Sequence, residues 1–176
     1  MTTPRRAAVG QPIPDFSLPG VDGHIYNTAD DRGHILVIDF WSAECPVSER
    51  YDPYLQGFAD AYGPKGVKLL AVDSNVYDRP RMIKHAIEER KIRFPILRDE
   101  GNVVADLYEA VTTPHIFVAD AGGILRYRGH IDDTNFRRKE PTINYLEEVV
   151  DALLFGNETP VAETSPFGCT INRARV

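Results

Sequence analysis

The order of buried strands and amphipathic helices constrains the fold of this chain more than any other feature of its sequence. Residues 34–41 form a continuous apolar run containing one aspartate, which predicts a strand buried on both faces of a sheet. From Pro46 onward, apolar residues recur at every third or fourth position, which predicts an amphipathic helix that ends at Gly63. A second buried strand is expected at residues 67–72. A strand, a helix and a strand in this order predict a parallel βαβ unit.

The second half of the chain predicts an antiparallel hairpin between helices. The segment Asp78-Arg79-Pro80 is expected to cap the next helix. Apolar segments on either side of Asp120-Ala121-Gly122-Gly123 predict a β-hairpin. The remaining expected elements are a short strand, a short helix and a closing helix at residues 94–97, 102–109 and 143–154.

Both ends of the chain differ in composition from its centre. Two short apolar segments joined at Asp22-Gly23 predict a β-hairpin within an N-terminal extension, residues 1–33. We expect one domain over residues 1–156, including this extension, followed by a C-terminal tail over residues 157–176. The tail is polar, yet Phe167, Cys169 and Ile171 alternate within it, and the sequence leaves open whether it packs back on the domain.

Size, charge and apolar patterning exclude several classes of protein. A chain of 176 residues buries roughly 70% of the surface that its unfolded form exposes, so it needs no structural metal or disulfide framework to fold. The formal net charge of −6 predicts neither a nucleic acid nor a membrane surface as partner. The longest apolar run, residues 35–38, is far shorter than the roughly 20 residues that span a bilayer. The N-terminus lacks the apolar core of a secretory signal, so we expect a cytoplasmic protein.

Several motifs give the chain a resemblance to thioredoxins and to the redoxins related to them. They are Asp39-Phe40-Trp41-Ser42-Ala43-Glu44-Cys45, which is similar to the strand end that delivers the first active-site cysteine, Pro53 at the position of the kink proline, and Thr113-Pro114, which resembles the cis-proline loop. Residues 9–19 are similar to the opening of the alkyl hydroperoxide reductase and thiol-specific antioxidant proteins. Together they resemble a peroxiredoxin-like group with one cysteine at the first thioredoxin position and another in the tail.

The resemblance implies a thioredoxin-like α/β fold with a central mixed sheet flanked by helices. It also implies roles for individual residues: Cys45, Cys169, Pro114, Asp39 and Ser48 as catalytic residues, and Trp41, Thr113 and Pro46 as substrate-binding residues. No cofactor and no metal are implied.

Two departures from the family patterns narrow the chemistry that the resemblance implies. Ser48 stands where thioredoxins have their second cysteine, so the usual dithiol is missing. Ile38 and Ser42 stand where peroxiredoxins have the proline and threonine that precede their peroxidatic cysteine. Peroxidase chemistry is therefore less well supported than thiol–disulfide exchange.

The expected position of Cys45 suits a reactive thiol. It directly precedes Pro46 and would lie at a helix N-terminus, where unpaired N–H groups and the macrodipole favour a thiolate. The neighbouring Glu44 opposes this effect. We expect the sulfur to be exposed, anionic and close to the proline loop.

Cys169 is the only other cysteine, and two interpretations of it stay open. Either it resolves an adduct of Cys45 by forming a disulfide, or it is inert and fills a surface groove. His115 is a candidate base, although a simple strand histidine is the more frequent case.

The preferred function is a thiol–disulfide oxidoreductase that acts with an oxidised or disulfide-bearing protein and a thiol reductant. The alternatives are a weak thiol peroxidase and a non-catalytic redox-sensing or binding module on the same fold.

Overall fold

The computed structural model describes residues 5–174 and contains nine strands and four α-helices within that range. The strands are β1 (Ser17–Pro19), β2 (Ile25–Asn27), β3 (Ile35–Trp41), β4 (Val67–Asp73), β5 (Ile96–Arg98), β6 (Thr112–Thr113), β7 (His115–Ala119), β8 (Leu125–Gly129) and β9 (Cys169–Thr170). The helices are α1 (Pro46–Tyr62), α2 (Pro80–Arg90), α3 (Val103–Tyr108) and α4 (Tyr145–Leu154). The ends of the predicted domain and tail, residues 1–4 and 175–176, lie outside the described residues.

A five-stranded mixed sheet forms the centre of the molecule, with the strand order β5-β4-β3-β7-β8. Strands β3, β4 and β5 run parallel to one another, whereas β7 is antiparallel to β3 and β8 is antiparallel to β7. The predicted βαβ unit and hairpin therefore join in one sheet. The expectation of a central mixed sheet flanked by helices is confirmed.

The central strand β3 is buried along its whole length and separates two apolar cores. Side chains alternate between its faces, so Val37 and Trp41 join one core with α1, α2 and α4. Leu36 and Phe40 join the other core with α3 and the N-terminal segment. Asp39 lies in the same strand and is also fully buried.

Helix α1 begins where the sequence predicts. Cys45 is its N-cap residue, Pro46 occupies the first turn, Pro53 lies inside, and Gly63 is the C-cap. A proline at the first position is favourable because its fixed φ matches a helix and its missing N–H would have no partner there. Pro46 thus fixes the backbone conformation directly after Cys45.

The predicted segment Asp78-Arg79-Pro80 does lie at the start of α2, with Arg79 as the N-cap residue and Pro80 as the first helical residue. The Asp78 side chain is not the cap, and no side chain among residues 5–174 caps this helix. The Asp78 carboxylate instead accepts hydrogen bonds from the Ser42 hydroxyl at 2.7 Å and the Ala43 N–H at 2.8 Å. Asp78 therefore holds the loop that leads to Cys45.

Two small antiparallel pairings complete the fold. Strands β1 and β2 form the predicted N-terminal hairpin. Strand β9 in the tail pairs with β6, which answers the question that the sequence left open: the tail packs back on the domain. In the range 5–174, no helix is long and apolar enough to cross a bilayer.

Candidate functional site

Cys45 and Cys169 form a disulfide that joins residues 124 positions apart in the sequence. Their Cα atoms are 6.0 Å apart, within the range of protein disulfides. Both cysteines of the chain are therefore paired, and the open interpretation of Cys169 is decided in favour of a link to Cys45. The two cysteines are too far apart in the sequence to form a thioredoxin-type pair, in which both cysteines lie within one helical turn.

The disulfide lies at the N-terminus of α1 and beside the proline loop. The Cys45 sulfur accepts a hydrogen bond from the Ser48 N–H at 3.3 Å, which adds a backbone donor to the favourable helix potential. The same sulfur lies 3.2 Å from the carbonyl oxygen of Thr113. The Thr113–Pro114 peptide bond is cis, as the resemblance implies. The fold thus brings Cys45, Cys169, Ser48, Thr113 and Pro114 together.

The expectation of an exposed Cys45 is wrong for this oxidised form. Only 4% of Cys45 is exposed, because the tail strand β9 lies over the sulfur, whereas Cys169 is half-buried. A cavity of about 190 Å³ adjoins the disulfide, and its lining includes Ser42, Asn75 and Asn172. A partner cannot reach Cys45 until the tail moves.

The expectation that Trp41 binds substrate is also wrong. Trp41 is fully buried, and its indole N–H donates a hydrogen bond to the Asp52 carboxylate at 2.8 Å. A side chain without exposure cannot contact a partner. Of the other two residues predicted to bind substrate, Pro46 is exposed at the start of α1, and Thr113 is buried under the tail.

Asp39 is buried without a partner, since neither carboxylate oxygen has a hydrogen bond within the described residues. Burial raises the pKa of the Asp39 carboxyl well above its usual range, and the charge of Asp52 raises it further. Asp52 itself is tied to Trp41 and, at 3.0 Å, to Arg90. Burial in the core therefore favours the protonated form of Asp39.

Replacing Asp39 with asparagine is expected to flatten the pH dependence of stability. The unfolded carboxyl has a pKa near 3.8 and loses its proton above that pH, whereas the folded carboxyl keeps it. The unfolding free energy of the natural protein then falls by about 1.4 kcal/mol per pH unit for this one proton, until the folded group also ionises. Asp39→Asn should gain stability over the natural protein as pH rises.

Urea unfolding over a pH series of about 5 to 8 measures this difference. The exposed Asp30→Asn is the matched control and should leave the slope unchanged. A stability difference between Asp39→Asn and the natural protein that does not grow with pH would contradict the burial of a neutral Asp39.

A polar network around the loop before Cys45 was not predicted from the sequence. Asn75 donates to the Ser42 hydroxyl at 3.2 Å, and Arg90 donates to the Ala43 carbonyl at 2.6 Å. Burial and the neighbouring Asp78 raise the pKa of Asp73, the last residue of β4, to about 9. The only sequence signal in this region was the segment Asp78-Arg79-Pro80, which we interpreted as a helix cap.

His115 is not placed to serve as a base through Nδ1, because this nitrogen accepts a hydrogen bond from the Val111 N–H at 3.2 Å. Its ring packs against Phe117, and burial lowers the pKa of His115 to about 4. The neutral ring stabilises the turn before the proline loop. Among residues 5–174 there is no cluster of three acidic, histidine or cysteine side chains that could hold a metal ion.

Comparison with known proteins agrees with this geometry. The family model described as "AhpC/TSA family" matches residues 9–128. The thiol-disulfide oxidoreductase ResA of Geobacillus kaustophilus is 32% identical over 119 residues, which cover 68% of this chain and 67% of that protein. The thiol:disulfide interchange protein DsbE of Vibrio cholerae is 28% identical over 143 residues, covering 80% of this chain and 74% of that protein.

A solved structure shares nearly the whole fold. It is that of an uncharacterized conserved protein from Geobacillus kaustophilus, with a TM-score of 0.89 and 32% identity, covering 96% of this chain and 94% of that one. The thioredoxin-like fold is thereby confirmed. With its matching family model, its relatives and its Cys45–Cys169 disulfide, this thioredoxin-like redox protein belongs to the AhpC/TSA family.

Proposed function

We propose that this protein is a thiol–disulfide oxidoreductase that cycles between a Cys45/Cys169 dithiol and the Cys45–Cys169 disulfide. The observation that supports this most directly is the disulfide itself, which lies at a helix N-terminus beside a cis-proline loop. The names of the relatives ResA and DsbE support the same class of reaction. The substrate class is a disulfide-bearing protein.

In the first step, the Cys45 thiolate attacks one sulfur of the partner's disulfide. A Cys45–partner bond forms, the partner's S–S bond breaks, and the electron pair leaves with the partner's second sulfur as a thiolate. The Ser48 N–H and the start of α1 stabilise the attacking thiolate. Backbone atoms of Thr113 beside Pro114 orient the partner.

In the second step, the Cys169 thiolate attacks the Cys45 sulfur. The Cys45–Cys169 bond forms, the Cys45–partner bond breaks, and its electron pair leaves with the partner's sulfur as a thiolate. The partner is released as a dithiol and has gained the two electrons that this protein loses. Ser48 cannot perform this step because a hydroxyl does not form a disulfide. The tail is anchored on both sides of Cys169, by the Thr164 N–H to the Arg128 carbonyl at 3.1 Å and by Arg173 to Asp106 at 2.8 Å. These anchors keep Cys169 at a high local concentration near Cys45.

An external thiol reductant completes the cycle by returning two electrons to the Cys45–Cys169 disulfide. We place this cycle in the cytoplasm. In that reducing compartment a disulfide is usually transient and catalytic, as the proposed cycle requires. Asp39 is assigned a proton-holding role, supported by its burial and unpartnered carboxyl. Within the family we place the chain in the group that has one cysteine at the first thioredoxin position, since Ser48 occupies the second.

Reduced protein mixed with a protein disulfide tests the function. We expect the release of two partner thiols per molecule, together with the conversion of Cys45 and Cys169 to their mutual disulfide in a proteolytic mass map. Adding a thiol reductant should make the reaction catalytic. Modification of Cys169 alone, or no thiol release, would contradict the proposal.

A further inference from the structure

Strand β9 of the tail lies in the site as an added strand beside β6. Cys169 pairs with Thr113 and Thr170 pairs with Thr112 in an antiparallel register. The Ile171 N–H donates to the Val111 carbonyl at 3.0 Å, which extends the backbone pairing by one residue. The tail thus presents a cysteine to Cys45 in an extended segment that occupies the edge of β6.

The position before the cysteine accepts only a very small residue. A Cβ atom built on Gly168 would overlap the carbonyl oxygen of Thr113 and lie 3.1 Å from the Pro114 nitrogen. Both atoms belong to the backbone of the proline loop and cannot move aside cheaply. A side chain here would push the strand away from β6.

The positions two residues before and after the cysteine have apolar partners. The Phe167 ring meets the Phe136 ring edge to face at 4.8 Å and the His130 ring at 5.7 Å. Ile171 is 3% exposed and belongs to the core cluster that contains Val104 and Ala105.

Phe136 differs from the other contacts because 80% of it is exposed although its ring packs on the tail. Phe136 therefore offers an aromatic ring that can pack on a residue in the position of Phe167. His130 and Phe136, whose rings contact Phe167, do not belong to the tail, so they would stay in place after the tail moves away.

We propose that the groove along β6 is the partner-binding site and that the tail is an internal copy of the segment it selects. The partner presents an extended strand with glycine directly before its reactive cysteine, an aromatic residue two positions before it and a branched aliphatic residue two positions after it. Backbone pairing with residues 111–113 supplies affinity, and the three side-chain positions supply specificity. This selectivity rests on the proposed function, because the tail must leave the groove when the disulfide is reduced.

Peptide disulfides test the proposed selectivity on the full chain. The parent peptide copies residues 165–172, Ser-Pro-Phe-Gly-Cys-Thr-Ile-Asn, with its cysteine linked to thionitrobenzoate. The Cys45 thiolate of the Cys169→Ser variant attacks the peptide sulfur, forms a Cys45–peptide disulfide and releases coloured thionitrobenzoate. The rate of colour release measures the reaction, and mass mapping identifies Cys45 as the site. The tail of this variant competes equally with every peptide, so ratios of rates are unaffected.

Each peptide change has an expected cost. Replacing the glycine by alanine should slow the reaction about tenfold or more, because the added methyl overlaps backbone. Replacing the isoleucine by alanine should also slow it about tenfold, since a buried apolar side chain is lost. Replacing the phenylalanine should slow it about threefold to tenfold.

Phe136→Ala provides the matched change on the protein. With this variant, also carrying Cys169→Ser, the difference between the parent peptide and the peptide without phenylalanine should shrink to about twofold or less, because the aromatic pair is already lost. Equal rates for all four peptides at Cys45 would overturn the selectivity and leave the proposed function standing. No reaction at Cys45 above the rate of the Cys45→Ser control would overturn both.

Discussion

Replacing Cys45 with serine is expected to lower turnover of a protein disulfide on the order of a thousandfold or more, as loss of a catalytic nucleophile usually does. The serine hydroxyl at the start of α1 can accept the Ser48 N–H, so the helix keeps its cap. Cys169→Ser loses the same disulfide but keeps the nucleophile, so a comparison of the two variants separates lost chemistry from lost stability. Thiol release from a protein disulfide, followed with a chromogenic thiol reagent, measures the effect.

Cys169→Ser separates the two steps of the reaction and is the variant to compare with Cys45→Ser. It keeps the nucleophile and loses the resolving thiol. It should therefore release one partner thiol per molecule and accumulate a Cys45–partner mixed disulfide, whereas the natural protein releases two. Full turnover by Cys169→Ser would show that the tail cysteine is not the resolving group. Full turnover by Cys45→Ser would refute the mechanism as a whole.

Reduction of the Cys45–Cys169 disulfide is expected to destabilise the protein by about 3 to 5 kcal/mol. The link closes a loop spanning 124 positions, and the chain-entropy model assigns a loop of this size about 5 kcal/mol. For a chain of this length, the midpoint of thermal unfolding should fall by roughly 6 to 20 °C. Thermal unfolding with and without a thiol reductant measures the change.

Reduction of the disulfide should also increase the local opening of the tail. Hydrogen exchange should accelerate most at residues 167–172, where the backbone bonds from Ile171 to Val111 and from Val76 to Asn172 join tail and domain. The central strands β3 and β4 should keep their protection. Cys169→Ser is the control, because a reductant cannot alter a disulfide that is not there. An identical exchange pattern in oxidised and reduced natural protein would show that the tail stays closed.

The order of elements could be predicted because each depends on a short stretch of sequence. A buried run at residues 34–41 and the three- to four-residue spacing after Pro46 correspond to β3 and α1. The turn at residues 120–123 joins β7 and β8 in the predicted hairpin. Pro46 marks the start of α1. Hydrophobic period, turn residues and caps act within about 10 residues, so they are readable without neighbours.

The site was predicted in part. The resemblance placed Cys45 beside a cis proline, and the structure confirms this arrangement. The resemblance gave Trp41 a substrate-binding role, and a local helix signal included Asp78 in a cap, but neither shows what lies across the core. The partner of Trp41 is Asp52, and the partners of Asp78 are in the loop at residues 42–43.

Local sequence is enough to predict the α/β class, the helix that begins after Cys45 and a second cysteine in a polar tail. Packing of the folded chain places Cys169 over Cys45, pairs the tail with β6 and leaves Asp39 without a hydrogen-bond partner among residues 5–174. Local signals come from the conformational preferences of neighbouring residues. Pairing over 124 positions depends on how the whole chain packs, and no short stretch of sequence contains that information.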